Sequence, residues 1–238
     1  MKTAFITGSG QGLGLEITME LLSKGWFVYG LDVVQPKIRD PQYQHIDFDL
    51  KDSKSFKAED ILSRGPLDVL IFNAGFGYYG NFSEQPLANI QDSVAINLFS
   101  PLLMTKRLLS HMKKGGAVIF IGSVSAFLPA KKHGVYGATK AALIGFSRAL
   151  RRELAPDLFV RIYHPGPMKT GFHKTAGYAD AKESFQQPSA VAKHFVKWLR
   201  HKSWQRHSRF YFKPAQFFLR LAPTLPSLMT ARRKGDHK

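Results

Sequence analysis

Apolar runs of strand length alternate with longer segments of helical period along most of this chain, and that alternation restricts its fold more than any other feature. Strands are expected at Thr3–Thr7, Phe27–Leu31, His45–Asp47, Asp68–Phe72, Ala117–Ile121, Phe159–Tyr163 and Arg209–Phe212. Between them the spacing predicts helices over about Gly12–Lys24, Ser55–Ser63, Pro86–His111, Val135–Leu154 and Ser189–Arg200. In the last of these, Val191, Phe195 and Leu199 recur every four residues and form one apolar face. Strand, helix and parallel strand in succession make an α/β fold whose sheet is covered on both faces. A length of 238 residues at 44% hydrophobic content suffices for one large core, so residues 1–238 are expected to form a single domain.

The first turn narrows this further. Thr7-Gly8-Ser9-Gly10-Gln11-Gly12-Leu13-Gly14 follows the first strand and opens the first helix, where backbone amides can face a phosphate. Its spacing is T-G-x-x-x-G-x-G, and glycine permits the close approach that a Cβ would block. Asp32 ends the second strand, where a carboxylate can accept from ribose hydroxyls and would repel a 2′-phosphate. No Arg or Lys stands at Ser9, Gly10 or Gln11 to offset it, so NAD is expected over NADP. Together these features predict a single-domain Rossmann-type doubly wound parallel sheet of about seven strands, with helices on both faces.

A second constellation carries chemistry. Tyr136 is followed one helical turn later by Lys140, and Ser123 stands thirteen residues upstream of the tyrosine. Moving hydride between an alcohol carbon and a nicotinamide ring needs a group that takes or gives the hydroxyl proton. Bringing a phenol from a pKa of about 10 to about 7 requires roughly 4 kcal/mol of preference for phenolate. A cation about 4 Å away, at an effective dielectric of about 20, supplies about that much. Lys140 shares a helix face with Tyr136 and is expected to be that cation, while Ser123 would donate to the substrate oxygen. His133 and His164 are expected to line the cleft or cap elements, and no His/Asp/Glu cluster has metal-site spacing.

On these residues the chain resembles the short-chain dehydrogenases/reductases, over roughly Lys2 to Ser189. The motifs are the glycine signature, Asn73-Ala74-Gly75 after the fourth strand, Asn97, Ser123, Tyr136 with Lys140, and Pro165-Gly166 with Thr170. The resemblance implies that Asn73, Ala74 and Gly75 steady the sheet beside the adenosine part of the cofactor and that Asp49 contacts adenine. It also implies that Asn97 holds a water in a proton relay, and that Thr170 and the backbone after Gly166, which includes Met168, bind the carboxamide. Gly122 departs from the pattern, since many relatives carry serine there. The implied activity is transfer of a hydride between a nicotinamide and an alcohol or ketone, by homodimers or homotetramers built on the Pro86–His111 and Val135–Leu154 segments. A non-catalytic dinucleotide-binding sensor on the same fold is the alternative.

The substrate is expected to be hydrophobic, lipid- or steroid-like, because Phe76, Tyr78, Tyr79, Phe127, Leu128, Phe172, Tyr178 and Phe185 populate the loops at the strand ends. Residues 164–187 would form a lid. All of the +17 net charge lies in residues 120–238, with twenty-two Lys/Arg against five Asp/Glu. Basic side chains beyond Ala190 interleave with aromatics that include Phe195 and Trp198. The segment 214–238 adds Phe217, Phe218, Arg232 and Arg233, which suggests a basic and apolar extension that covers the cleft or a partner subunit, or contacts an anionic membrane. No zinc spacing, helix-turn-helix or aromatic RNA-binding strand supports nucleic acid as a partner. Without cysteine, a membrane-length apolar run or a secretory leader pattern, a cytoplasmic location with peripheral membrane contact fits the sequence.

Overall fold

Seven parallel strands form the centre of the computed structural model, which describes residues 1–59, 62–128, 130–172, 176–177, 185–200 and 209–211. They are β1 (Thr3–Thr7), β2 (Phe27–Asp32), β3 (Tyr43–Asp47), β4 (Leu67–Phe72), β5 (Met112–Ile121), β6 (Phe159–Pro165) and β7 (Arg209–Tyr211). Their order across the sheet is β3-β2-β1-β4-β5-β6-β7. The chain winds outward from β1 in one direction to β3, then returns to β4 and continues the other way. That reversal leaves a crevice beyond the carboxyl ends of β1 and β4, where ligands bind in sheets of this kind.

Each face of the sheet is covered by helices, as the alternation of patterns demands. On one face α1 (Gly12–Leu22) and α5 (Pro188–Arg200) pack against β1, β4 and β5, with Ile17, Leu21, Val191 and Phe195 fully buried. On the other lie α2 (Leu87–Val94), α3 (Ser100–Leu108) and α4 (Gly134–Leu154), burying Met104, Leu108 and Leu143 against Phe5, Leu70 and Phe120. Burial of each such side chain contributes about 1.5–3 kcal/mol, so the two apolar layers fix the sheet against which the loops are set. Phe195 and Trp198 belong to this core and not to the basic surface with which the sequence groups them.

Three segments differ from expectation. The helix predicted at Ser55–Ser63 is replaced by a 3₁₀ turn over Leu50–Ser55, after which Phe56 and Ala58 drop into the core. Two apolar residues two apart suit an extended entry into a core better than a continued helix. The single crossover helix over Pro86–His111 is interrupted by a π turn at Ala95–Phe99, and Asn97 sits within it. The fifth strand begins at Met112, five residues early, because Met112 pairs with Leu67 of β4 ahead of a register shift that spans exposed Lys113 and Lys114, before the buried run starts at Gly116. Of the C-terminal features, the segment 214–238 and Tyr178 lie outside the described residues. Among the described residues no helix is long and apolar enough to cross a membrane, and no His/Asp/Glu cluster could hold a metal ion.

Candidate active site

A cleft of about 510 Å³ opens at the carboxyl ends of the strands. Most of the residues singled out from the sequence line it: Gly8, Gln11, Gly12 and Leu13 from the first turn, Asp32 and Asp49 from the far side, and Asn73, Ala74 and Gly75 after β4. At its other end stand Ser123, Tyr136 and Lys140, with Pro165 at the end of β6 and Gly166, Met168 and Thr170 beyond it.

The first turn is built for close backbone packing. Gly8 has φ +72°, which glycine alone adopts at no cost, and its amide donates to the Leu31 carbonyl at 2.8 Å. A side chain on Gly14 would overlap the Gly8 carbonyl oxygen, so this glycine lets the helix start directly under the turn rather than facing the cleft. Thr7 Oγ1 accepts from the amides of Asn73 and Ala74, each at 3.2 Å. In return, Asn73 Nδ2 donates to the carbonyls of Thr7 and Gly8, each at 3.1 Å. The end of β4 is thereby tied to the glycine turn. Thr7 opens the glycine signature in the sequence, but its part as a clamp in this exchange shows only in the structure.

Asp32 uses both carboxylate oxygens on this frame: Oδ2 accepts from the Gly10 amide at 2.8 Å and Oδ1 from the Val34 amide at 2.9 Å. Among the described residues that line the cleft, Lys140 is the only lysine or arginine, and it lies at the opposite end from Asp32. Ser9 does not face the cleft. Its hydroxyl meets the Tyr43 hydroxyl at 3.3 Å under the turn, where Gly30 leaves room for both. Asp49 caps the 3₁₀ turn, accepting from the Lys51 amide at 2.9 Å.

Asn97 is fully buried, with its side-chain amide engaged on both sides. Oδ1 accepts from the Phe76 amide at 2.8 Å, while Nδ2 donates to the Phe76 carbonyl at 2.7 Å and to Thr139 Oγ1 at 3.1 Å. It therefore joins the loop after β4 to α4, one residue before Lys140. The π turn is what carries this amide inward, a common position for such bulges in functional helices.

Tyr136 and Lys140 occupy successive turns at the start of α4 and face the end of β5. Ser123 follows β5 in extended backbone, accepts from the Ser125 amide at 3.2 Å and lines the cleft together with Tyr136. The Lys140 ammonium is buried, donates to the Ile121 carbonyl at 3.0 Å and lies 5.8 Å from the centre of the Tyr136 ring. Burial pulls Lys140 down to about 8. Burial also pushes the Tyr136 phenol up, against the lowering effect of the Ser123 hydrogen bond. In the protein alone the direction is thus opposite to the one expected for a phenol beside an ammonium, with loss of solvent the largest cause.

Several of the predicted aromatics meet at this end. Phe76, Phe172 and Phe185 line the cleft, and Phe172 packs on Tyr136 with ring centres 5.4 Å apart. His133 also lines it, edge-on to Tyr136 and to Tyr79. Tyr78, Tyr79, Phe127 and Leu128 do not line it, and Phe127 packs instead on His164, which is buried behind Ser123.

Comparison with known proteins agrees with this geometry. The short chain dehydrogenase family profile matches residues 2–180. The 3-oxoacyl-[acyl-carrier-protein] reductase of Buchnera aphidicola is 33% identical over 186 residues, covering 73% of this chain and 76% of its own. Two solved structures share the fold. A 3-ketoacyl-(acyl-carrier-protein) reductase from Brucella melitensis complexed with NADH has a TM-score of 0.77 at 24% identity, covering 88% and 94% of the two chains. A short-chain dehydrogenase from Sphingobium yanoikuyae in complex with NADPH has a TM-score of 0.75 at 20% identity, covering 100% and 99%.

Proposed function

The chain belongs to the short-chain dehydrogenase/reductase family of NAD(P)-dependent oxidoreductases that act on CH–OH groups, and we propose that it interconverts a hydrophobic ketone and its alcohol, with Tyr136 as the proton donor and acceptor. The observation that carries this reading is the convergence of Ser123, Tyr136 and the buried Lys140 at one end of the cleft, with the ammonium 5.8 Å from the centre of the Tyr136 ring. The glycine turn, of which Gly8, Gln11 and Gly12 line the cleft, and the Asp32 carboxylate fit a dinucleotide, with Asn73, Ala74 and Gly75 beneath it and Gly166, Met168 and Thr170 at the nicotinamide end. The hydride is what a bound nicotinamide supplies or accepts there.

The chain's own residues do the rest. Ser123 donates to the ketone oxygen and holds it beside Tyr136. The Tyr136 phenol, kept protonated by burial, gives its proton to that oxygen as negative charge builds on it. Lys140, charged below about pH 8, stabilises the phenolate left behind. In oxidation of an alcohol the same groups act in reverse. Asn97 holds the Phe76 loop and α4 together so that the phenol and the cleft wall keep their spacing, and its π turn is the place for a water that returns the proton.

Three finer features belong to the same proposal. NAD is favoured over NADP, because Asp32 would repel a 2′-phosphate and no lysine or arginine among the described lining residues stands near it. Phe76, Phe172 and Phe185 favour an apolar substrate, a class that includes the acyl ketone named for the Buchnera relative. Phe82 in the 3₁₀ turn before α2, Leu87 and Val94 on α2, and Phe99 at the end of the π turn are exposed, and they support self-association through that surface. A panel of ketones of rising apolar size tests the substrate class: kcat/KM is expected to climb with size using NADH. A flat profile would remove the hydrophobic assignment, and turnover unaffected by Tyr136→Phe would remove the catalytic one.

A further inference from the structure

Gly122 and His164 stand side by side at the carboxyl edge of the sheet. The last aligned pair of β5 and β6 is Ile121 and Tyr163, and the Gly122 amide donates to the Tyr163 carbonyl at 2.8 Å. The next residue on each strand therefore faces the other, and aligned residues of parallel strands project to the same side. A Cβ on Gly122 would overlap imidazole Nδ1 and stand 2.6 Å from Cε1. The ring thus occupies the volume that a side chain at position 122 would claim, which accounts for the glycine at a position where many relatives have serine. His164 is 2% exposed, meets the Phe127 ring edge-on at 4.9 Å, and hydrogen-bonds to the backbone of Ser123.

We propose that His164 is a positioning residue for Ser123, with Gly122 as its obligate partner. Glycine immediately before Ser123 is the loosest backbone position in this turn. The imidazole, wedged over it and bonded to the next residue, removes that freedom and holds the Ser123 hydroxyl toward Tyr136. The inference rests on the reading that Ser123 binds the substrate oxygen. Burial, together with the Lys140 and Arg148 charges on α4, pulls His164 down to about 4, so the ring works as a neutral hydrogen-bonding wedge throughout the physiological range. An apolar residue of similar size would fill the space without making the bond. A side-chain amide would do both.

The test measures kcat, KM and the Kd of NADH for reduction of 1-phenyl-1,2-propanedione by wild type, S123A, H164L, H164N, H164Q, G122A and G122A/H164A. Asn and Gln present an N–H at the depths of the two ring nitrogens. H164L is expected to lose at least about tenfold in kcat, with the Kd of NADH changed less than about twofold, since misplacing one catalytic group by 1 Å can cost up to about a hundredfold. The better of H164N and H164Q should recover to within about threefold of wild type. G122A should fall as H164L does, and G122A/H164A should exceed G122A, because the clash is gone. Two results overturn the inference: H164L within twofold of wild type, or both amide variants falling as far as H164L. If S123A keeps wild-type kcat, or wild type reduces no ketone, the catalytic reading fails and takes this one with it. If S123A is impaired while H164L is not, only the His164 inference fails. Should the variants not fold, imidazole ¹⁵N spectra of wild type decide: one neutral tautomer with a hydrogen-bonded N–H from pH 6 to 8 is expected, and a freely exchanging or charged ring overturns the proposal.

Discussion

The Lys140 ammonium lies 5.8 Å from the centre of the Tyr136 ring and donates a hydrogen bond to the Ile121 carbonyl at 3.0 Å, so its charge is held beside the phenol by a strand end. Among the described residues no carboxylate forms an ion pair with it, and burial lowers its pKa to about 8. Since the ammonium is the form that supports a developing phenolate, kcat/KM for ketone reduction should decline as pH rises through about 8. Arginine keeps its charge, so K140R should move that decline upward by more than one pH unit while K140M falls at least about a hundredfold at every pH. A limb that stays in place in K140R would assign it to another group.

Substitution at Gly14 should harm the fold before it harms binding. A Cβ there overlaps the Gly8 carbonyl oxygen and crowds Asn73 Nδ2, both part of the tie between β1 and β4. G14A is expected to cost about 3 kcal/mol and to lower Tm by roughly 5–10 °C, as seen by calorimetry without ligand. An unchanged Tm would show that the turn relaxes freely.

Asp32 links cofactor choice to the shape of the glycine turn, because the carboxylate that would meet ribose also accepts from the Gly10 and Val34 amides. D32A should therefore weaken NADH by at least about tenfold while weakening NADPH less, narrowing the ratio of the two dissociation constants. Equal losses for both would mean that the carboxylate only supports the loop.

His164 also sets a pH dependence of stability. Its pKa falls from an ordinary 6.5 to about 4 in the folded protein, so the unfolded chain binds more protons between those values. The stability that this group contributes is whole above about pH 6.5 and is lost as pH falls toward about 4. H164Q should show a shallower decline of Tm over that window. Identical slopes would place the acid sensitivity elsewhere.

Local sequence carried the parts of this structure that local rules determine. Thr3–Thr7 with its glycine turn, and Tyr136 with Lys140 at i and i+4, are each decided by periodicity within a few residues. Other features depend on neighbours far along the chain. Phe56 leaves its expected helix because the β1 face offers Phe5 as an edge-on partner, with ring centres 6.0 Å apart. Asn97 needs a π turn because the amide must meet Phe76 and Thr139 at once. The Tyr136 phenol is raised rather than lowered because desolvation depends on walls such as Phe172, which no spacing reveals. Gly122 reads as a plain departure from a motif until His164, forty-two residues on, is seen lying over it.

The central claim is that Tyr136 hands a proton to the substrate oxygen. Single-turnover reduction of an apolar ketone by Y136F pre-loaded with NADH tests it most directly. The account predicts hydride transfer slowed at least about a thousandfold with NADH affinity changed less than threefold. A rate within tenfold of wild type, at unchanged affinity, would contradict it.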